Sequence, residues 1–252
     1  RVAAYEIGLA ALRQTCPQWT DRMEHLRDVN PGHLGVDDAA IYRALKTLPV
    51  WMTRREAERR LPVEAEAIET WFSSHDDHEG GYPLRDVLMF GISECERSRQ
   101  LLPALEARDF GRVGQLFAVS HDGDRVSRVR DGRRLPRGAT VDDAALDLLI
   151  EQAESDDPDT RRAAALCNQP GAYGCSTPEI DEMVDICTAT QGVIGAQLVG
   201  AGLGGSIVVL ARRGTSAALT EALTRGYYIP RRLEPEVRAF QPVAGAACFQ
   251  LP

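Results

Sequence analysis

Gly200-Ala201-Gly202-Leu203-Gly204-Gly205 separates two apolar, β-rich runs, Val193 to Val199 before it and Ile207 to Ala211 after it. Four glycines in six positions would weaken a plain hairpin, because glycine loses more backbone freedom on folding than any other residue. Glycine is used where φ must be positive or where a ligand must approach the main chain. The loop is therefore either a tight turn or a surface that faces phosphate or substrate. Gly200, Gly202 and Gly205 also satisfy Gly-x-Gly-x-x-Gly, the dinucleotide fingerprint. That fingerprint needs a helix directly after the loop, so that pyrophosphate can rest on the helix N-terminus. Ser206-Ile207-Val208-Val209-Leu210-Ala211 follows instead and predicts a strand. The strand–loop–strand context argues against the dinucleotide fold.

Outward from the loop, Thr177-Pro178-Glu179-Ile180-Asp181 is a helix start. Ser176 or Thr177 can cap it, proline suits its first turn, and an acidic residue there meets the positive end of the helix dipole. A helix is expected over Ser216 to Thr224, then strand-like runs at Val237 to Pro242 and Ala246 to Leu251. The last third reads α-β-β-α-β, with a possible further strand. Upstream, apolar spacing predicts helices over Val2 to Gln14, Ala39 to Leu48, Arg54 to Leu61, Glu64 to Phe72 and Arg85 to Glu106. Another starts at Asp109 and ends at Ser120-His121, and more follow Val141 and Thr160. Asn30-Pro31-Gly32 reads as a turn, and the Arg-rich run from Asp122 to Thr140 as a polar loop that builds no core. The expected class is α+β, a small antiparallel sheet backed by helices.

The 252 residues suit one large domain or two small ones. A net charge of −8 argues against a nucleic-acid backbone as partner. No apolar run approaches a membrane span, and the start lacks the basic-then-apolar pattern of a signal peptide. The six scattered cysteines form no Cys-x-x-Cys pair, which fits a reduced, cytoplasmic protein with core thiols. The chain opens without Met, in a helix already under way, and is expected to be part of a longer protein.

Other catalytic patterns are missing. There is no Gly-Lys-Ser/Thr, no Gly-x-Ser-x-Gly elbow and no His-Arg-Asp loop. Ser120 and His121 are neighbours, poor geometry for a nucleophile and its base; His121 is expected to pack or cap at a helix end. His75 and His78, with Asp76, Asp77 and Glu79, invite a metal reading, but a charged surface loop is the simpler account and no metal is assigned.

The order of several stretches resembles the C-terminal half of galactokinase. Tyr173-Gly174-Cys175-Ser176-Thr177-Pro178-Glu179-Ile180-Asp181 is similar to the family's Ser-x-Pro-Glu-Leu-Asp helix start. Gly192-Val193-Ile194-Gly195-Ala196-Gln197-Leu198-Val199 and the glycine loop resemble the third motif of the galactokinase, homoserine kinase, mevalonate kinase and phosphomevalonate kinase (GHMP) superfamily. Leu26-Arg27-Asp28-Val29, Glu94-Cys95-Glu96-Arg97 and the helix from Asp109-Phe110-Gly111 to Ser120-His121 match further family segments in order. Met89-Phe90 stands where the family has Arg-His, and Gln197 and Val199 where it has a basic residue and threonine. These departures put galactose itself in doubt as the substrate.

The resemblance implies a GHMP kinase C-terminal domain with a ferredoxin-like sheet, a helical excursion at 34–82 and an insertion at 122–168. It implies an ATP-dependent sugar kinase acting at a sugar hydroxyl, at the anomeric position. ATP and Mg²⁺ would be held mainly by an N-terminal half whose sugar motif, Ser-rich loop and catalytic Asp do not occur here. No catalytic residue is therefore assigned to this chain. Gly200, Ala201, Gly202, Leu203, Gly204 and Gly205 would form one wall of the cleft, with Ser206 as a polar contact. Tyr173 and Ser176 are expected to be structural. The alternative is a galactokinase-like protein that binds sugar or ATP without turnover.

Overall fold

The computed structural model describes residues 1–77, 80–138, 141–200, 202 and 205–241. Its first half is helical. Helix α1 (Val2–Thr15) buries Ile7, Leu9 and Leu12. Asn30-Pro31-Gly32 is not a free turn but the start of a short helix, α2 (Pro31–Leu34). The Asn30 side chain accepts from His33 N, and Pro31 sits at the first position, so the same residues that signal a turn here signal a helix cap. Helix α3 (Asp38–Lys46) is capped by Asp37 and buries Ile41, Tyr42 and Leu45. Strand β1 (Trp51–Met52) leads to α4 (Arg54–Arg60), which carries the expected Thr53 cap closed by Glu56. After Pro62 the chain re-enters a helix, α5 (Ala65–Ser73), and then strand β2 (Tyr82–Pro83), which pairs with β1.

Helix α6 (Leu84–Glu106) is the central rod, with Leu84, Val87, Leu88 and Ile92 fully buried. It packs on α1 on one side and on α7 (Phe110–Asp124) on the other. Asp109-Phe110-Gly111, which spells a protein-kinase tripeptide, is a helix start: Asp109 Oδ1 accepts from Arg112 N at 2.9 Å. Helix α7 runs one turn further than the spacing predicts and places His121 inside its last turn.

The Arg-rich segment after it is a hairpin. Strands β3 (Ser127–Arg130) and β4 (Arg133–Pro136) pair antiparallel, joined by Asp131-Gly132 with φ of 50° and 71°. Two central residues at positive φ match the strand twist, and Asp-Gly is the sequence signal for that turn. Ser127 is buried, so this segment does reach the interior. Helix α8 (Asp143–Ala153) then packs on α3, and α9 (Pro158–Ala164) follows from an Asp157 cap. Leu146 of α8 is 0% exposed within the core of the helical half, so residues 143–153 are integral to that core.

Helix α10 (Pro178–Ala189) has Thr177 as cap and Pro178 at its first position, as the sequence predicts. Strands β5 (Val193–Val199) and β6 (Ser206–Ala211) pair antiparallel from Val193↔Ala211 to Val199↔Ser206, with a bulge near Gly195. Helix α11 (Ser216–Leu223) leads through a wide turn at Thr224–Tyr228 into α12 (Ile229–Arg231). A second core, with Val184, Cys187, Ala196, Leu219, Leu223 and Tyr228, lies between α10, β5 and α11. The class is α+β, and the small antiparallel sheet backed by helices is β5–β6. The strand expected at Val237 to Pro242 does not form through 241; residues 233–241 run without strand pairing. Tyr228 reaches Glu236 O and holds the start of that run over the α11 turn. Ala246 to Leu251 lies outside the described residues.

If α8 is part of the core, Leu146→Ala should lower unfolding free energy by about 2–5 kcal/mol, the range for emptying a fully buried leucine site. Leu148→Ala, at a 53% exposed position on the same helix, should cost under about 0.5 kcal/mol. Urea denaturation of both variants measures the difference.

Candidate functional site: the glycine loop and its buried anchor

The loop from 200 to 205 joins the ends of β5 and β6, whose last pair is Val199↔Ser206. Ala201, Leu203 and Gly204 lie outside the described residues. Gly200, Gly202 and Gly205 have φ of 85°, 83° and 103°, a region that L side chains rarely adopt. Around Gly200 and Gly205 an added Cβ would meet nothing within 4 Å among the described residues. At Gly202 the opposite holds: a Cβ would lie 2.3 Å from Cys175 O. Gly202 is therefore pressed on the segment that precedes α10. Ser206 is exposed at the start of β6.

The segment beneath the loop is held by the end of α7. Tyr173 N and Gly174 N both donate to Gly123 O, at 2.8 and 3.1 Å, and Ser176 N donates to Asp124 O at 3.0 Å. Gly123 permits this approach, because a Cβ there would stand 2.3 Å from Pro170 O and 2.4 Å from the Phe90 ring. Phe90 stacks on Tyr173 at 5.1 Å, and Tyr173 on Tyr5 at 5.4 Å. The family's Arg-His position is thus filled here by an aromatic ring that seats the 170–174 segment. Glu94 and Arg97 pair with each other, and Arg97 Nη1 donates to Gln169 O at 2.7 Å. The Glu-x-x-Arg match is a clamp on the same segment.

The anchor of the whole arrangement is Asp181, at 0% exposure. Its Oδ2 accepts from Ser127 N at 2.7 Å, Ser127 Oγ at 2.9 Å and Val126 N at 3.1 Å. Its Oδ1 accepts from Ser176 Oγ at 2.7 Å and faces His121 Nε2 at 3.3 Å. Leu198 N donates to His121 Nδ1 at 3.4 Å, which assigns the imidazole proton to Nε2, toward the carboxylate. Burial opposes ionisation of Asp181, but the facing His121 imidazole and the hydrogen bonds from Ser176 and Ser127 outweigh it and bring its pKa down to about 2.

His121, Asp181 and two serines together superficially resemble a hydrolytic triad. The geometry rules that out. Both serines bond the carboxylate and neither bonds the histidine, the second imidazole nitrogen is occupied by a backbone N–H, and all four residues are buried. The expectation that His121 caps or packs at a helix end is sharpened: it lies inside the last turn of α7 and ties that turn to α10 and β5. Ser176 is structural, as expected, through its bond to Asp181.

The His75 loop is likewise a structural contact. His75 Nε2 lies 2.7 Å from the Tyr82 hydroxyl and Nδ1 3.0 Å from Ser74 Oγ. His78 and Glu79 lie outside the described residues. Among the described residues, no group of three or more His, Cys, Asp or Glu could hold a metal ion.

Residues 145–229, from α8 to the start of α12, match the sequence model of the family described as GHMP kinases C terminal. Residues 145–229 form a GHMP kinase C-terminal domain, and the chain is similar to galactokinases. It is 28% identical over 206 residues to galactokinase of Streptomyces coelicolor, covering 77% of this chain and 50% of that protein. It is 36% identical over 55 residues to galactokinase of Thermotoga petrophila and over 56 residues to that of Thermosipho africanus, each match covering 22% of this chain and 16% of the relative. The chain thus matches about half the length of the Streptomyces relative and far less of the others. No helix among the described residues is long and apolar enough to cross a membrane.

Sequence reasoning found the loop and the α10 start. It did not find Asp181 as the anchor, although the family motif ends on that residue, nor Asp124. The available signal was an aspartate four residues past a helix cap, on the inward face.

A carboxylate whose folded pKa lies below its unfolded value stabilises the fold above the unfolded pKa and loses that stabilisation as pH falls through the folded one. For Asp181 the window runs from about 4, its ordinary range, down toward 2. Asp181→Asn should lower unfolding free energy by about 2–4 kcal/mol at neutral pH. Its stability should also fall less steeply than the wild type's between pH 4 and 2.5, as read by urea denaturation at each pH.

Proposed function

We propose that this chain supplies the C-terminal wall of the cleft in an ATP-dependent carbohydrate kinase that phosphorylates a free sugar at its anomeric hydroxyl. The observation that carries the reading is the glycine loop itself. It joins two antiparallel strands, its described glycines have positive φ, and at Gly200 and Gly205 no described atom lies within 4 Å of where a Cβ would stand. A phosphorylated ligand fits such a surface, since main-chain N–H groups can approach phosphate oxygens where side chains are missing.

Phosphoryl transfer depends on positioning and on neutralising charge at the transferred group. ATP, with Mg²⁺, supplies that group when bound. In this reading the rest of the protein holds most of the nucleotide and the metal, and supplies the base. The residues of this chain exclude water on one side and fix the spacing between sugar and phosphate. Gly200, Gly202 and Gly205 give the close main-chain approach, together with Ala201, Leu203 and Gly204 of the same loop, and Ser206 offers a hydroxyl at its exit. The soluble sugar and ATP are the ligands, and the setting is cytoplasmic.

A second reading rests on Phe90. The apolar stack of Phe90, Tyr173 and Tyr5 replaces a basic pair of the family beside the 170–174 segment, and this favours a relative that binds sugar or ATP without turnover.

Two measurements separate these readings. The protein expressed from its whole reading frame should phosphorylate at least one free sugar in a panel. ATP or sugar binding without any phosphate transfer supports the second reading instead. Gly202→Ala adds backbone strain and a contact 2.3 Å from a carbonyl oxygen, so kcat/KM should fall at least about tenfold, the equivalent of 1.4 kcal/mol. Residues 1–252 alone should turn nothing over; robust kinase activity from them would refute the division of labour between the two halves.

A further inference from the structure

Gly202 lies closer to Cys175 than a side chain would allow. An added Cβ would stand 2.8 Å from Cys175 Cβ and 2.8 Å from its Sγ, besides the carbonyl contact. Cys175 is 8% exposed, and its thiol donates to Asp124 Oδ1 at 2.9 Å. Asp124 therefore holds this segment twice, through its carboxylate to the thiol and through its carbonyl to Ser176 N. The thiol is a weak donor in general; burial raises the Asp124 pKa, while the hydrogen bond from Cys175 acts in the opposite direction and favours the ionised acceptor. Burial, with the neighbouring Asp124, pushes the Cys175 pKa up to about 12, so the thiol stays protonated as a donor and is a poor nucleophile.

We infer that Asp124 is a positioning residue for the glycine loop: by holding the Cys175 thiol it fixes the surface on which Gly202 rests. The contacts run in an unbroken series from the last residue of α7, through the segment before α10, to the loop between β5 and β6. Gly202 is thus seated by a side-chain pair of which only Cys175 lies in a stretch likened above to the family. The catalytic consequence of this seat rests on the kinase reading; the seat itself does not.

The test uses the protein expressed from its whole reading frame and reads amide hydrogen exchange of a peptide spanning 198–206. Asp124→Ala and Cys175→Ala should each speed exchange there by about three- to tenfold, the population change expected for one lost hydrogen bond. The double variant should exchange no faster than the faster single, because both changes remove the same bond. Cys175→Ser, which keeps a donor, and Asp124→Asn, which keeps an acceptor oxygen, should stay within about twofold of wild type. In the kinase assay, Asp124→Ala should raise the KM for ATP by a factor similar to its effect on exchange, with kcat within about twofold. Unchanged exchange in both alanine variants overturns the inference, as does a double variant whose effect multiplies the two singles. A fall in kcat at constant KM also overturns it, since that marks a general loss of folded protein. Coupled exchange in a protein that transfers phosphate to no sugar leaves the seat standing and removes the kinase reading instead.

Discussion

The Asp181 carboxylate accepts hydrogen bonds from Ser176, from Ser127 and from two backbone N–H groups, with the His121 imidazole facing it. Each partner comes from a different piece of chain: the segment before α10, the first strand of the Arg-rich hairpin, and the last turn of α7. Burying a charge in a protein interior costs several kcal/mol unless donors surround it. Asp181 has those donors, and each is useful only if its own segment is in place. The carboxylate therefore makes the three segments fold in one arrangement. Its imidazole neighbour extends the network to β5 through Leu198 N.

The glycine loop depends on that network. β5 and β6 alone form a two-stranded ribbon, which is marginal without a supporting layer. Here α7 and α10 provide the layer. Gly114 and Gly195 let α7 approach β5 closely: a Cβ on Gly114 would stand 2.2 Å from Ile194 O, and one on Gly195 2.8 Å from Phe117. At the ribbon's end Gly202 is then pressed on Cys175. A fixed seat behind a glycine-rich sequence suits a phosphate-facing surface, because preorganised main-chain groups need no rearrangement when charge develops.

Much of this was legible in the sequence where local chemistry decides the outcome. The α10 start, the Thr53 cap and the strand–loop–strand pattern all formed as read, since caps and β-branched runs act over a few residues. Two failures share a cause. The Asp122 to Thr140 run was read as a loop because its arginines outnumber its apolar residues. Yet Arg125 and Arg134 pair with Asp185 on α10, and Ser127 turns inward to Asp181. Asn30-Pro31-Gly32 was read as a turn because turn and cap signals use the same residues. In both cases partners distant in sequence chose between local options. The anchor itself is hidden for the same reason: an aspartate in a helix's first turn reads as a surface charge until its four partner residues are known. Of the loop residues expected to line the cleft, Gly200, Gly202, Gly205 and Ser206 are placed by the structure at the end of β5–β6.

The central claim is the proposal that this loop faces a phosphorylated ligand. Glycine-selective ¹⁵N labelling gives direct access to it, since four of the six loop residues are glycines. On adding a non-hydrolysable ATP analogue with Mg²⁺ and a free sugar to the protein expressed from its whole reading frame, the amide signals of Gly200, Gly202, Gly204 and Gly205 should shift together, while Gly35, beside α2 in the helical half, stays fixed. Shifts confined to glycines outside the loop, with the four loop signals unmoved at saturation, would contradict the account.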